Sequence, residues 1–360
     1  MKISREFIHQ LPKTDLHVHL DGSLRMATIL DLASQGVDPG DGPSYGPEEI
    51  EKTLVPGRDY GSLAEYLKDF EITLSLMQTP PTLKRIAYEL AEDCAEENIR
   101  YVEVRFSPIL HTRAGLTLPE VVESVIAGLK QAEDSFNIRT GIIICGIRNM
   151  DPETSYRLAE LAVAYKRRGV VGFDLAGEEK DFPAKDHREA FNLIINNNIN
   201  STVHAGEGFG PGSIAQAIHY CGANRIGHGT RLKEDRELLN YVTDHRIPLE
   251  ICLTSNLQTG IVDSIRDHPF SYYYRYGVRV TVNTDNRLMS DTSITRELAL
   301  AAENFSLTPF NLRDILLNGF KSAFLAYGEK VRLIKLSLAE IDYLIRLEYP
   351  DYDGDPSFHT

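Results

Sequence analysis

Eight short runs of apolar and β-branched residues recur along the chain, each followed by a stretch of helical periodicity, and this alternation limits the fold more than any other feature. The runs lie at 15–20 (DLHVHL), 100–107 (RYVEVRFS), 139–147 (RTGIIICGI), 170–176 (VVGFDLA), 201–205 (STVHA), 225–229 (RIGHG), 247–253 (IPLEICL) and 278–284 (VRVTVNT). Helical stretches follow at 117–135, 152–168, 185–197, 213–221, 233–244, 267–276 and 291–304. Strands separated by helices pair in parallel, with right-handed crossovers that leave the helices outside. Eight such units are what a TIM (β/α)8 barrel needs to close. A doubly wound open sheet has the same periodicity and is the alternative.

Two additions to a minimal barrel are visible. A long insertion, 21–99, separates the first run from the second. Its Gly/Pro-rich part, Gly36 to Gly61, reads as loop, and helical patterns follow at 62–77 and 81–98. After the eighth unit come two further helical patterns, 309–326 and 329–346, and a polar tail, Asp351–Thr360. No Ser- or Pro-rich linker divides the 360 residues, so residues 1–360 are expected to form one barrel domain.

Lys and Arg number 38 against 52 Asp and Glu, a net charge of −14. Such a chain repels polyphosphate, which argues against nucleic acid or an anionic membrane as partner and for a small neutral or cationic ligand. The longest apolar run, near 142–147, is far short of the ~20 residues a bilayer requires. The first residues carry no apolar signal core, and a cytoplasmic location is expected. Cys94, Cys145, Cys221 and Cys252 show no C-x-x-C spacing, and Cys145 and Cys252, which lie in apolar runs, read as small buried hydrophobes. Nothing in the sequence signals an oligomeric state.

The polar residues of interest gather at the C-terminal ends of the runs, where a barrel places its active site. His17 and His19 are two apart, so on a strand both point to one face. Alone, such a pair is more often two hydrogen-bonded core histidines than a metal site. His204 closes the fifth run, and Gly206 permits a turn that brings Glu207 over the same opening. His228 ends the sixth run, and Asn283-Thr284-Asp285-Asn286 ends the eighth. Each taken singly has an ordinary structural explanation: a satisfied core histidine, a helix-capping aspartate, a solvated glutamate. Their shared position at strand ends is what distinguishes them. Three imidazoles and one carboxylate make a nitrogen-rich set suited to Zn²⁺. The fourth run, Val170–Ala176, has no lysine to bridge two metals, which favours a single ion. His9, His111, His187, His219, His245, His268 and His359 fall in helical or loop segments and read as structural or surface residues.

Taken together and in order, five segments resemble the adenosine deaminase family of metal-dependent amidohydrolase barrels. They are Asp15 to Ser23 (DLHVHLDGS), Gly172 to Glu179 (GFDLAGEE), His204 to Glu207 (HAGE), Arg225 to Gly229 (RIGHG) and Asn283 to Asp285 (NTD). The resemblance implies zinc held by His17, His19, His204 and Asp285, with water as a further ligand. It also implies hydrolytic deamination of adenosine and 2′-deoxyadenosine to inosine and ammonia. Zinc lowers the pKa of a bound water from 15.7 to about 7, which supplies the nucleophile for C6. Glu207 would then protonate purine N1, His228 would orient the attacking hydroxide and stabilise the oxyanion, and Asp285 would accept the water's proton. Asp21 would meet the ribose 5′-hydroxyl and the Gly177 backbone N–H purine N3. An anionic Asp21 disfavours AMP. Leu63, Tyr66, Leu67 and Phe70 share one helix face, which reads equally as a core stripe or as the apolar lid the family places over the nucleoside. Asp174 is expected to support the site from behind.

One position departs from the family pattern. Asn286 stands where a second aspartate would have to be protonated to donate to purine N7. An amide NH₂ is a donor without any pKa adjustment. A different aminopurine, such as adenine or a modified adenosine, is the other reading of this change, and a non-deaminating amidohydrolase is more distant. A cytidine-deaminase site is excluded by the missing P-C-x-x-C segment.

Overall fold

The computed structural model of the protein describes residues 3–60 and 69–350. Its eight strands are β1 (Lys13–His19), β2 (Ile99–Phe106), β3 (Arg139–Ile147), β4 (Val170–Ala176), β5 (Asn200–Ala205), β6 (Arg225–His228), β7 (Leu249–Ile251) and β8 (Val280–Val282). They pair in parallel in sequence order. The ring closes just beyond β8. Val18 bridges Asp285, the Asp285 N–H donates to the His17 carbonyl at 2.7 Å, and the His19 N–H donates to the Asp285 carbonyl at 2.7 Å. The Asn283 side chain accepts from the Leu16 N–H on the same seam. An open sheet has no such seam, so the fold is a TIM barrel.

The strand residues, polar ones included, are buried almost throughout because helices cover the sheet outside and side chains fill it inside. The N-terminal end is sealed. There the Arg225 guanidinium lies 3.5 Å from the centre of the Phe324 ring and donates to the Ser322 carbonyl at 2.8 Å. The helix Pro309–Ser322, the first of the two extra C-terminal helices, leads into that plug, and Tyr327–Glu348 packs on it. The C-terminal end is left for the long loops.

The insertion is more helical than its composition suggests. Within the stretch expected as loop, Pro47–Thr53 forms a helix. Pro47 sits at the first turn, where its missing N–H costs nothing. Glu48 and Glu49 face the positive end of the helix dipole and Lys52 the negative end. A second helix, Met26–Ser34, precedes it. The expected pattern at 81–98 is the helix Pro80–Glu96, opened by a capping box from Thr79. Of the 62–77 pattern, Phe70–Leu76 is helical and 61–68 lies outside the described residues. The 247–253 run gives a strand of only three residues because a helix, Leu253–Gln258, begins at once. Among the described residues, no helix is long and apolar enough to cross a membrane.

Gly319 lets the helix Pro309–Ser322 lie against β1, since a Cβ there would stand 2.1 Å from Thr14 Oγ1. Gly319→Val is expected to lower stability by about 1–3 kcal/mol, the usual cost of overpacking. Denaturant unfolding against the wild type measures it.

Candidate active site

At the C-terminal mouth, His17, His204, His228 and Asp285 bring ligand-type atoms within 4.8 Å of one another, all buried. His19 joins them: its Nε2 lies 3.2 Å from His204 Nε2 and 3.4 Å from Asp285 Oδ1. His17 Nε2 is 3.5 Å from the same Asp285 oxygen and, though buried, has no hydrogen-bond partner. Four strand ends therefore converge on one volume, as the period-2 geometry of β1 and the barrel's closure require.

The orientation of two of these rings is fixed from behind. His17 Nδ1 meets Glu250 Oε2 at 2.8 Å, and His204 Nδ1 meets Asp174 Oδ2 at 3.0 Å. Carboxylates on Nδ1 hold the proton there and leave the Nε2 lone pairs facing the shared volume, the state a metal ligand needs. Arg105 stands between the two carboxylates, 3.0 Å from Asp174 and 2.9 Å from Glu250, and donates to the Leu16 carbonyl at 2.7 Å. Arg225 adds a second guanidinium to Glu250. Every charge in this frame is buried and paired, as burial demands. An orphaned Nε2, two facing Nε2 atoms and an adjacent carboxylate make a cluster that could hold a metal ion.

Glu207 follows β5 on a turn at Gly206, whose φ is +70°. The Glu179 carboxylate accepts the backbone N–H groups of Gly206, Glu207 and Phe209 at 2.6, 3.0 and 3.0 Å, which pins this turn. Burial, with the negative charges of Asp285 and Glu179, pushes the Glu207 carboxyl well above its usual range. Glu207 Oε2 is 3.6 Å from His228 Nε2. Burial and the neighbouring His17 hold His228 well below the ordinary imidazole value. His228 and Asp285 both have positive φ, 60° and 61°, a strained backbone that aims their side chains inward.

Asp21, Asn286 and Gly177 line the same end. Asp21 lies in the turn after β1, buried, with Oδ1 unpartnered, and burial pushes its carboxyl up to about 7. Asn286 Oδ1 is buried without a partner against Gly22, where a Cβ would stand 1.9 Å from it. Gly177, just after β4, has φ +99°, which a side chain rarely tolerates. Phe70 is buried at the start of its helix. Leu63, Tyr66 and Leu67 lie outside the described residues.

Several residues that matter here were not singled out from sequence. Arg105 and Glu250 sit within strand runs and Glu179 within a matched motif, and their local sequence does not mark their partners. His268, expected as a structural or surface residue, is buried and linked to the site through Asn256.

A closed barrel with a buried His/Asp cluster at the C-terminal mouth is the architecture of amidohydrolase-type enzymes. The family model described as adenosine deaminase matches residues 12–339. The chain is 42% identical over 344 residues to an adenosine deaminase of Mycobacterium ulcerans, covering 91% of this chain and 94% of that one. It is 40% identical over 354 residues to a probable adenosine deaminase of Dictyostelium discoideum; that match covers 98% of this chain but only 46% of the longer relative. Among solved structures, the arabidopsis N6-mAMP deaminase superposes with a TM-score of 0.84 at 28% identity, covering 93% of this chain and 99% of that one. The chain belongs to the adenosine deaminase family.

Arg105→Met removes the cation from between Glu250 and Asp174 and leaves two buried carboxylates short of a partner. A loss of about 3–5 kcal/mol is expected, together with a lower metal content. Thermal unfolding and elemental analysis of the purified variant check both.

Proposed function

We propose that this protein hydrolyses adenosine and 2′-deoxyadenosine to inosine or deoxyinosine and ammonia, with one Zn²⁺ held by His17, His19, His204 and Asp285. The observation that carries this reading is the pairing, in one mouth, of a lone-pair-bearing imidazole cluster with a buried glutamate beside it, whose carboxyl burial pushes up. Three nitrogens and one carboxylate oxygen match the preference of Zn²⁺. When bound in such a cage, the ion acts as a Lewis acid that makes water available as a nucleophile near neutral pH.

The chain's own groups account for the rest of the chemistry. Addition of water's oxygen to C6 puts negative charge into the purine ring, and the Glu207 carboxyl relieves it by delivering a proton to N1. Asp285 takes the proton that water gives up and passes it to the C6 amino group, which leaves as ammonia as the C6–N bond breaks, while the remaining hydroxyl proton returns to Glu207. His228 donates a hydrogen bond to the oxygen arriving at C6. On the base, the Asn286 amide is a donor for N7 and the Gly177 N–H a donor for N3. Asn286 Oδ1 packs against Gly22, which leaves its NH₂ as the face free to donate. Asp21, placed after β1, receives the ribose 5′-hydroxyl and, in its ionised form, repels a 5′-phosphate. Phe70, with Leu63, Tyr66 and Leu67, is assigned to the apolar cover of the nucleoside, and Asp174 to holding His204. All four cysteines are free thiols, buried, which supports a reducing, cytoplasmic setting.

The decisive experiment is a substrate panel followed by ultraviolet absorbance and ammonia release. Adenosine and deoxyadenosine should turn over, while adenine, AMP and N6-methyl-AMP should not; preference for a phosphorylated or free-base substrate would refute the reading. Elemental analysis should find about one zinc per chain, and chelation should abolish turnover. Glu207→Gln keeps the shape but removes the acid, so kcat should fall by at least ~10²-fold. Because the acid form of Glu207 is the active one, turnover is retained below its pKa and lost as pH rises through it. The raised pKa places that alkaline fall above the ordinary carboxylate range, and a pH–rate profile reads it.

A further inference from the structure

Behind His228, on the side away from the cleft, runs a short chain of hydrogen bonds whose direction is fixed at its far end. The backbone N–H of Phe270 donates to His268 Nδ1 at 3.1 Å. A backbone N–H can only donate, so His268 Nδ1 carries no proton. Burial, with the Lys233 charge nearby, pushes His268 down to about 3, so the ring is neutral and its single proton resides on Nε2. That Nε2–H meets Asn256 Oδ1 at 3.2 Å. With its oxygen so occupied, Asn256 turns its NH₂ to His228 Nδ1, 3.0 Å away. His228 Nδ1 must then be the acceptor, and the proton of its neutral ring sits on Nε2, the atom that faces Glu207 at 3.6 Å. Reversing the Asn256 amide would set donor against donor at His268, so the polarity has one solution.

We propose that His268 and Asn256 are positioning residues that carry the polarity of the Phe270 N–H to His228, so that His228 meets the reacting centre as a neutral Nε2–H donor. An N–H aimed into the cleft has no lone pair to offer a metal. The ion is therefore left to His17, His19, His204 and Asp285, although the ring of His228 brings a nitrogen within 4.8 Å of ligand-type atoms of His17, His204 and Asp285. A donor held in place before reaction strengthens where negative charge develops, with no proton to be acquired first. This inference rests on the deaminase reading for the identity of the atom that receives the hydrogen bond, but not for the tautomer.

Zinc-loaded protein labelled with ¹⁵N-histidine tests it by NMR at neutral pH, with His228→Gln assigning the resonances. The expected spectrum has His228 Nδ1 bare and Nε2 protonated. Asn256→Asp presents only acceptors to both rings, so it should invert the His228 tautomer and lower kcat by about 10²–10³-fold, the usual cost of one oxyanion donor, with KM little changed. His268→Gln, which retains an N–H toward Asn256, should keep more activity than His268→Leu. A bare Nε2 in the wild type overturns the proposal, as does an Asn256→Asp enzyme with inverted tautomer and unchanged kcat. If Asn256→Asp does not fold, the wild-type spectrum decides alone. A wild type that has the expected tautomer yet leaves adenosine untouched defeats the substrate reading and not the relay.

Discussion

Buried in the barrel, the guanidinium of Arg105 faces Glu250 and Asp174 at once, and most of what the mouth can do follows from that contact. Each carboxylate holds the Nδ1 side of one histidine, His17 on β1 and His204 on β5. One cation thus fixes the tautomer and the aim of two rings that are 187 positions apart in sequence (204 − 17). Carboxylates this deep would be too costly without it, and imidazoles without the carboxylates would be free to turn. Arg225 reinforces Glu250 from below and at the same time stacks on Phe324, so the frame beneath the site is continuous with the plug that seals the barrel floor.

Barrel closure and site assembly are a single event. The backbone bonds that join His17 to Asp285 and Asp285 to His19 complete the ring, and they set the spacing of three of the proposed ligands. Asp285 accomplishes this with a positive φ, as does His228 on β6. Such conformations persist only where the surroundings over-determine them. For Asp285 the surroundings are the seam to β1. For His228 they are Asn256 and a Gly229 that continues the turn with its own positive φ. Strain and frame act together: the backbone aims each side chain, and the buried charges keep it aimed.

Much of this was legible in the sequence because barrels obey simple rules. Period 2 put His17 and His19 on one face, and the strand-end rule brought His204, His228 and Asp285 beside them across most of the chain. The places of the eight strands followed from runs of β-branched residues flanked by polar turns, although the runs 247–253 and 278–284 each give a strand of only three residues. Arg105 and Glu250 were not legible, because each sits inside an apolar run and its meaning lies in a partner 145 residues away. His268 and Asn256 were not legible as site residues for a related reason: they are close to each other and to Phe270 in sequence, but the ring they serve, His228, lies 28 residues before Asn256, on β6. The helix Pro47–Thr53 was hidden by glycines and prolines that read as breakers, although Pro47 occupies the one helical position that favours proline.

The central claim is that the imidazoles of His17, His19 and His204 and the carboxylate of Asp285 enclose one ion while His228 stands aside as a hydrogen-bond donor. Anomalous diffraction at the zinc edge from crystals of the metal-loaded protein tests this most directly. A single peak is expected about 2.0–2.2 Å from the three Nε2 atoms and an Asp285 oxygen, with His228 Nε2 beyond bonding distance. A peak bonded to His228, or ligation that omits His17 or Asp285, would contradict it.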